Sequence, residues 1–352
     1  MGEVVSLVID PLRGERVSIE LPLITRSSPE AVRQELGLPE WIDVSDPIVA
    51  KGILLLGAAR RSDPPVSLAF LGGAAHRIRC RSSNRRDLGL RRTLHDLDVA
   101  CLHKELRTVR RFLETVHERE GSGLRFFETS GDRIFNSLSE GRRLRYHTVL
   151  GQEGSNVSLG SLDLLADEFR FCHRLDLRED VQGAATQQGT LTPALLLLAK
   201  MQYIRRVPAD AREQVADRVL EPFGRHDLLI GPEPKDVQDI LALFLDHPFD
   251  EASDGISPSR VESLLSRDWG LWKTVSLNGP GLSRSPVLTG LPPREQARAR
   301  AEIDTLDRLV SGIAPKRRFG FLGGPWWEEV DAQPAVDGTA TVSERAGSLT
   351  RS

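Results

Sequence analysis

Cysteine is scarce in this chain. Its 352 residues hold three, Cys80, Cys101 and Cys172, and no two form a CxxC pair. Three widely spaced thiols exclude a disulfide framework and point to a reducing compartment, hence a cytoplasmic setting. Each is expected as a small buried hydrophobe. Long apolar runs are also missing. Nothing approaches the roughly 20 residues that a membrane helix needs, so no membrane contact is expected. The opening MGEVVSLVIDP carries acids early and lacks a basic stretch, which argues against a signal peptide. A large excess of either charge is absent too. A net charge of −3 excludes a general coat for nucleic acid, so any such contact must come from a local patch. No internal repeat is evident.

What is present is ordinary for a soluble globular protein: 39% hydrophobic and 28% charged residues. The length suits two or three domains. Residues 1–60 read as an N-terminal appendage. VVSLVID and GERVSIELPL alternate as a hairpin. SSPEAVRQELGL reads as a helix capped by Ser28 and ended by Gly37, and IVAKGILLLGAARR as a second one. Residues 61–188 read as the main domain. Val66–Leu71 and LHDLDVACL are strands, KELRTVRRFLETVHER is an amphipathic helix, and LRFFET, RLRYHTV and SLGSLDLLADEF are further strands. Turns are expected at Ser130-Gly131 and Glu153-Gly154. Residues 189–330 read as a helical domain, with Thr192 and Pro193 opening its first helix. Residues 331–352 read as a disordered polar tail. The order of elements argues for α+β.

The chemistry centres on TLHDLDVA. On a strand, Asp96 and Asp98 point to the same face while Leu97 points to the other. Two like charges so close repel, and burial adds to the cost. A hydrated turn would relieve this, and so would a hard divalent cation, with Mg²⁺ or Mn²⁺ keeping positions open for water and phosphate. Gly72-Gly73 follow a strand and precede AAHRIR, either as a tight turn or as a place where backbone amides approach a phosphate. Asp163 stands between Leu162 and Leu164 in a strand pattern, an awkward place for a charge unless it joins a site. Asp167 is a second candidate nearer the strand's end.

The ordered set LAFLGGAAHR, RRTLHDLDVA and SLDLL resembles the nucleotidyltransferase superfamily with the polymerase-β-type fold. TPALLLLAKMQYIRR with Lys200, then PKDVQDILALF with Lys235, Asp236 and Asp239, narrows the resemblance to the AbiEii-type toxin branch. It covers residues 66 to 245. It implies a polymerase-β-like mixed sheet with flanking helices, followed by a helical C-terminal domain. It implies that Asp96, Asp98 and Asp163 form the metal site, with Asp163 completing it or acting as base. Gly72 and Gly73 would bind the triphosphate, Lys200 would contact phosphate, and Asp236 or Asp239 would lie near the nucleotide or orient basic residues. Arg92 matches an arginine common in the branch. The implied activity is Mg²⁺-dependent transfer of NMP from an NTP to an RNA (tRNA) or protein acceptor, in a toxin–antitoxin setting with an antitoxin partner. Three carboxylates suit such a site, because divalent ions stabilise both attacking and leaving oxygens.

The sequence departs from the branch in places. Leu94 stands where a small hydroxyl residue is common, the second glycine replaces a serine, and the gap to the aspartates is long. A catalytically silent nucleotide- or partner-binding module of the same fold is therefore the second expectation. Arg77, Arg79, Arg81, Arg85, Arg86, Arg91 and Arg92 form a dense basic loop suited to an NTP or a nucleic acid, or to a solvated surface. His173 is expected as a hydrogen-bonded packing residue. Trp269 and Trp272 are expected in packing, and Trp326-Trp327 as a clamp for the C-terminal segment.

Overall fold

The computed structural model describes residues 4–10, 15–20, 28–120, 124–152, 155–183, 188–252, 254–315 and 325–328. Strands β1 (Val4–Asp10) and β2 (Glu15–Glu20) pair antiparallel, as their alternation predicts. Helices α1 (Pro29–Glu35) and α2 (Pro47–Arg61) begin at side-chain caps followed by proline. Ser28 accepts from the Ala31 amide at 3.2 Å, and Asp46 from the Ile48 amide at 3.0 Å. Although α2 falls in the segment read as an appendage, it packs onto the main sheet. A Cβ at Gly52 would lie 3.3 Å from both Phe70 and Leu97.

Strand β3 (Ala69–Leu71) runs directly into α3 (Gly72–Arg79). The arginine-rich loop then folds as two short 3₁₀ turns, Ser82–Asn84 and Arg86–Leu88. Next come β4 (Asp96–Cys101), α4 (Leu106–Glu120), β5 (Leu124–Phe127), α5 (Ser130–Leu138), β6 (Arg143–Gln152) and β7 (Ser155–Ala166). The five strands form a sheet in the order β3-β4-β7-β6-β5. Only β4 and β7 run parallel, so the sheet is mixed and the class is α+β. Helix α5 stands where a turn was expected at Ser130-Gly131. Thr129 and Asp132 close a reciprocal capping box there, which outweighs the glycine. The other expected turn, at Glu153-Gly154, lies outside the described residues. A short ribbon of β8 (Glu168–Arg170) and β9 (Arg174–Asp176) follows, then α6 (Arg178–Gly183).

The segment read as wholly helical needs correction. Helix α7 (Pro193–Met201) stops before YIRR, and Arg205–Pro208 is strand β10. With β11 (Val219–Phe223) and β12 (Asp227–Ile230) it makes a three-stranded antiparallel sheet, ordered β10-β12-β11. The strands are only four or five residues long and carry Pro208 and Pro222, so they hardly register as periodic. Both prolines sit on the outer strands, where a missing amide is tolerated. The helices α8 (Pro234–Asp246), α9 (Pro258–Arg267), α10 (Trp269–Arg284), α11 (Pro286–Thr289) and α12 (Pro293–Gly312) complete this half. Helical spacing runs without a break from Ser257 to Gly279, yet the structure divides this stretch into α9 and α10. The break falls at Asp268, which caps α10 by accepting from the Leu271 amide at 3.0 Å.

One apolar core runs from Val32 to Ile313 and joins the sheet to the flanking helices. A second, aromatic cluster holds residues 325–328 against the body. Trp327 is buried among Phe223, Cys172 and Leu229, Trp326 donates to Thr274 Oγ1 at 3.1 Å, and Glu328 pairs with Arg170 at 2.7 Å. His173 also meets the Thr274 hydroxyl, at 2.8 Å. All three cysteines are free and buried. Among the described residues, no helix is long and apolar enough to cross a membrane. The expected tail, 331–352, lies outside the described residues.

Candidate active site

Alternation along β4 separates its roles. Leu97 and Val99 enter the core, and Asp96 and Asp98 face outward. The parallel register sets Asp98 directly opposite Asp163 of β7, with Asp96 opposite Ser161. Strand β6 continues the same face: Arg145 is the register partner of Asp163, and Arg143 lies two residues before it. Both guanidiniums pair with Asp163, Arg145 Nε reaching Oδ1 at 2.8 Å. Helix α5 supports them from outside. Its Phe135 ring lies 5.6 Å from the Arg143 guanidinium and 5.1 Å from that of Arg145. Asn136 accepts from the Arg145 amide at 2.6 Å.

The two glycines are explained by close approach. Gly72 has φ +65°, and a Cβ there would fall 2.0 Å from Asp98 Oδ2. A Cβ on Gly73 would meet Arg92 Nη2 at 2.2 Å. Both positions therefore admit a charged side chain that any larger residue would displace. The Gly72 carbonyl accepts from His76 Nδ1 at 2.7 Å. Burial pushes the His76 imidazole down to about 4, so it is neutral and its Nδ1–H is the donor.

Beyond the glycines lies a buried ion-pair network. Lys200 of α7 binds Asp236 at 2.8 Å and Asp239 at 3.0 Å, both on α8. Arg92 binds Asp239 at 2.9 Å. The spacing K-D-x-x-D puts both carboxylates on one face of α8, toward α7. Burial alone would raise the Asp239 carboxyl, but Lys200 and Arg92 hold it well below the usual carboxylate range. Burial likewise disfavours the Lys200 ammonium, and the two aspartates more than compensate, so its affinity for the proton rises.

Asp98 is the opposite case. Burial, then Asp96, then Asp163 push its carboxyl up to about 8, against opposing fields from Arg143 and Lys200. Asp163 also feels burial, yet Arg145 and Arg143 bring it below its ordinary value. Asp163 is therefore matched by two guanidiniums, whereas Asp98 lies against Asp96 and Asp163. Two outward carboxylates with unrelieved repulsion fit a Mg²⁺ ion, which takes one or two protein oxygens and fills its remaining positions with water and phosphate. Asp163 fits less directly, because both of its oxygens are on arginine. Among the described residues, no three His, Cys, Asp or Glu side chains are grouped to hold a metal.

Gly72, Gly73, Arg92, Asp96, Asp98, Asp163, Lys200, Asp236 and Asp239 thus form one connected region. Several loop arginines are engaged elsewhere. Arg77 donates to the Ser83 carbonyl at 2.6 Å, Arg79 to Thr190 at 2.9 Å, and Arg91 pairs with Asp43 at 2.5 Å. The basic groups beside the carboxylates are instead Arg143 and Arg145, which sequence reasoning passed over. Their alternation in RLRYHTV was the available signal. Compared with known proteins, the chain matches no family model and no curated sequence.

Proposed function

We propose that this protein is a Mg²⁺-dependent nucleotidyltransferase of the polymerase-β type, akin to the AbiEii-type branch. It would move NMP from an NTP to an RNA (tRNA) or protein acceptor. The observation that carries this reading is the in-register pairing of Asp98 with Asp163 on adjacent parallel strands, with Asp96 on the same face. In the reaction, an acceptor hydroxyl gives up its proton to water as its oxygen bonds to the α-phosphorus, the α–β anhydride bond breaks, and pyrophosphate leaves. Bound Mg²⁺ supplies Lewis-acid stabilisation of the charge that develops on phosphate oxygens. The chain's own residues do the rest. Asp96 and Asp98 would hold the cation, and Gly72 leaves room for the Asp98 carboxylate. Arg143 and Arg145 keep Asp163 ionised and add positive potential beside the phosphates. Lys200 and Arg92 are fixed by Asp236 and Asp239 on the far side of the glycines. The branch resemblance extends the proposal to a toxin with a small antitoxin partner.

The test is transfer of label from NTPs to total tRNA or to protein in the presence of Mg²⁺. Label should move with the wild type and not with Asp96→Ala/Asp98→Ala. Equal transfer by the variant, or no transfer from any NTP, refutes the proposal. A second reading draws on the engagement of both Asp163 oxygens and of Lys200 by internal partners. On that reading the same site binds nucleotide without turnover. Calorimetry separates the two, because a silent module would bind NTP equally with and without Mg²⁺.

A further inference from the structure

Lys51 lies on α2 and is 1% exposed, a placement that lysine rarely takes unless paired. Its contacts include the Ser161 carbonyl at 3.1 Å and the Thr148 hydroxyl at 3.4 Å. Both partners lie at one irregularity of the sheet. Strand β6 pairs His147 with Ser161 and Val149 with Ser158, so β7 uses one residue more than β6 between these pairs. That is a bulge, the device that re-aims side chains next to functional sites. Gly160 sits in it with φ +73°, and a Cβ there would stand 2.2 Å from the His95 carbonyl oxygen. At that point β7 presses on the entry to β4. Ser161 is then the first residue of β7 in register with β4, opposite Asp96, and Asp163 follows opposite Asp98. A shift of one residue would exchange Asp163 for a leucine on the outer face.

We infer that Lys51 is a positioning residue: its ammonium locks the β7 bulge and so fixes the register that holds Asp163 and its two arginines against Asp98. The contacts alone carry the lock, and only its effect on turnover rests on the nucleotidyl-transfer reading. The charge is held at a cost, since burial pushes the Lys51 amine down to about 7 against the favourable field of Asp96. Methionine would fill the same space without that cost, but could not bond the Ser161 carbonyl.

The test compares Lys51→Met, Lys51→Arg and Thr148→Val in the full-length chain. Hydrogen exchange is followed over Gly160–Leu165, with α8 as internal reference. In Lys51→Met, exchange over Gly160–Leu165 should accelerate by about tenfold while α8 is unchanged. Thr148→Val should give a smaller shift in the same segment, and Lys51→Arg should restore protection. In the transfer assay, kcat of Lys51→Met should fall by about 10–100-fold with nucleotide KM within about twofold, the pattern for a group that orients others. Unchanged exchange over Gly160–Leu165 in Lys51→Met overturns the inference, as does acceleration shared equally with α8. If the wild type transfers no nucleotide, the reaction reading fails, and the exchange result alone decides the lock.

Discussion

Alanine at Gly72 is the sharpest perturbation of the site. Two costs arise there. The first is backbone: φ is +65°, and a left-handed conformation costs a non-glycine residue about 1–2 kcal/mol. The second is steric: the new methyl would lie 2.0 Å from Asp98 Oδ2 and 3.0 Å from its Cγ. Forcing the carboxylate aside in a packed region adds about 1–3 kcal/mol. Gly89 is a control for the first cost alone, with φ +64° and nothing within 4 Å of an added Cβ. Gly72→Ala should therefore destabilise by more than Gly89→Ala, by about the steric amount. A double-mutant cycle in urea unfolding isolates the contact. In an Asp98→Ala background the steric cost should vanish, giving a coupling of about 1–3 kcal/mol between positions 72 and 98. Additivity within about 0.5 kcal/mol would show that Gly72 does not shape the space of the Asp98 carboxylate.

Three further outcomes follow from the charges. Mn²⁺ affinity should rise with pH up to about 8 and then level off, because the cation must displace the proton that burial and two carboxylates keep on Asp98; a flat titration from acid to alkaline pH contradicts this. Asp239→Asn should destabilise by about 3–5 kcal/mol, since it strips partners from both Lys200 and Arg92, and Asp236→Asn by less, since Lys200 keeps Asp239. Arg145→Leu should cost about 1–3 kcal/mol at neutral pH. The Asp163 carboxyl is depressed in the folded state, so its contribution is complete above the ordinary value of 3.8 and fades as pH falls through the lower folded value. In chemical or thermal unfolding, Arg145→Leu should therefore show a shallower acid limb than the wild type.

The site's carboxylates were legible because strand alternation is local: Asp96-Leu97-Asp98 and Leu162-Asp163-Leu164 each declare a polar residue facing opposite to apolar neighbours. The pairing of Lys200 with Asp236 and Asp239 was less so, since which cation meets which carboxylate depends on how α7 meets α8. Arg143 and Arg145 were overlooked because a basic residue on a half-exposed strand usually means only solvent. They matter because the antiparallel register brings Arg145 opposite Asp163, a long-range fact. Lys51 was hidden in the same way, within a helix pattern that reads as apolar throughout. In the fold, α5 was obscured by Ser130-Gly131, whose turn propensity outweighed the Thr129–Asp132 box. The strands β10 to β12 were too short and proline-marked to show a period. Capping signals fared better: Ser28 and Thr192 both accept helix-start amides.

The central claim is that Asp96 and Asp98 serve transfer of a nucleotidyl group, and the fate of the label decides it. The chain is incubated with Mg²⁺, an acceptor pool and NTP labelled at either the α- or the γ-phosphate. The account predicts that α-label enters the acceptor, γ-label leaves as pyrophosphate, and Asp98→Asn lowers the rate by at least about 100-fold. Transfer of γ-label, or equal α-transfer by Asp98→Asn, would contradict it.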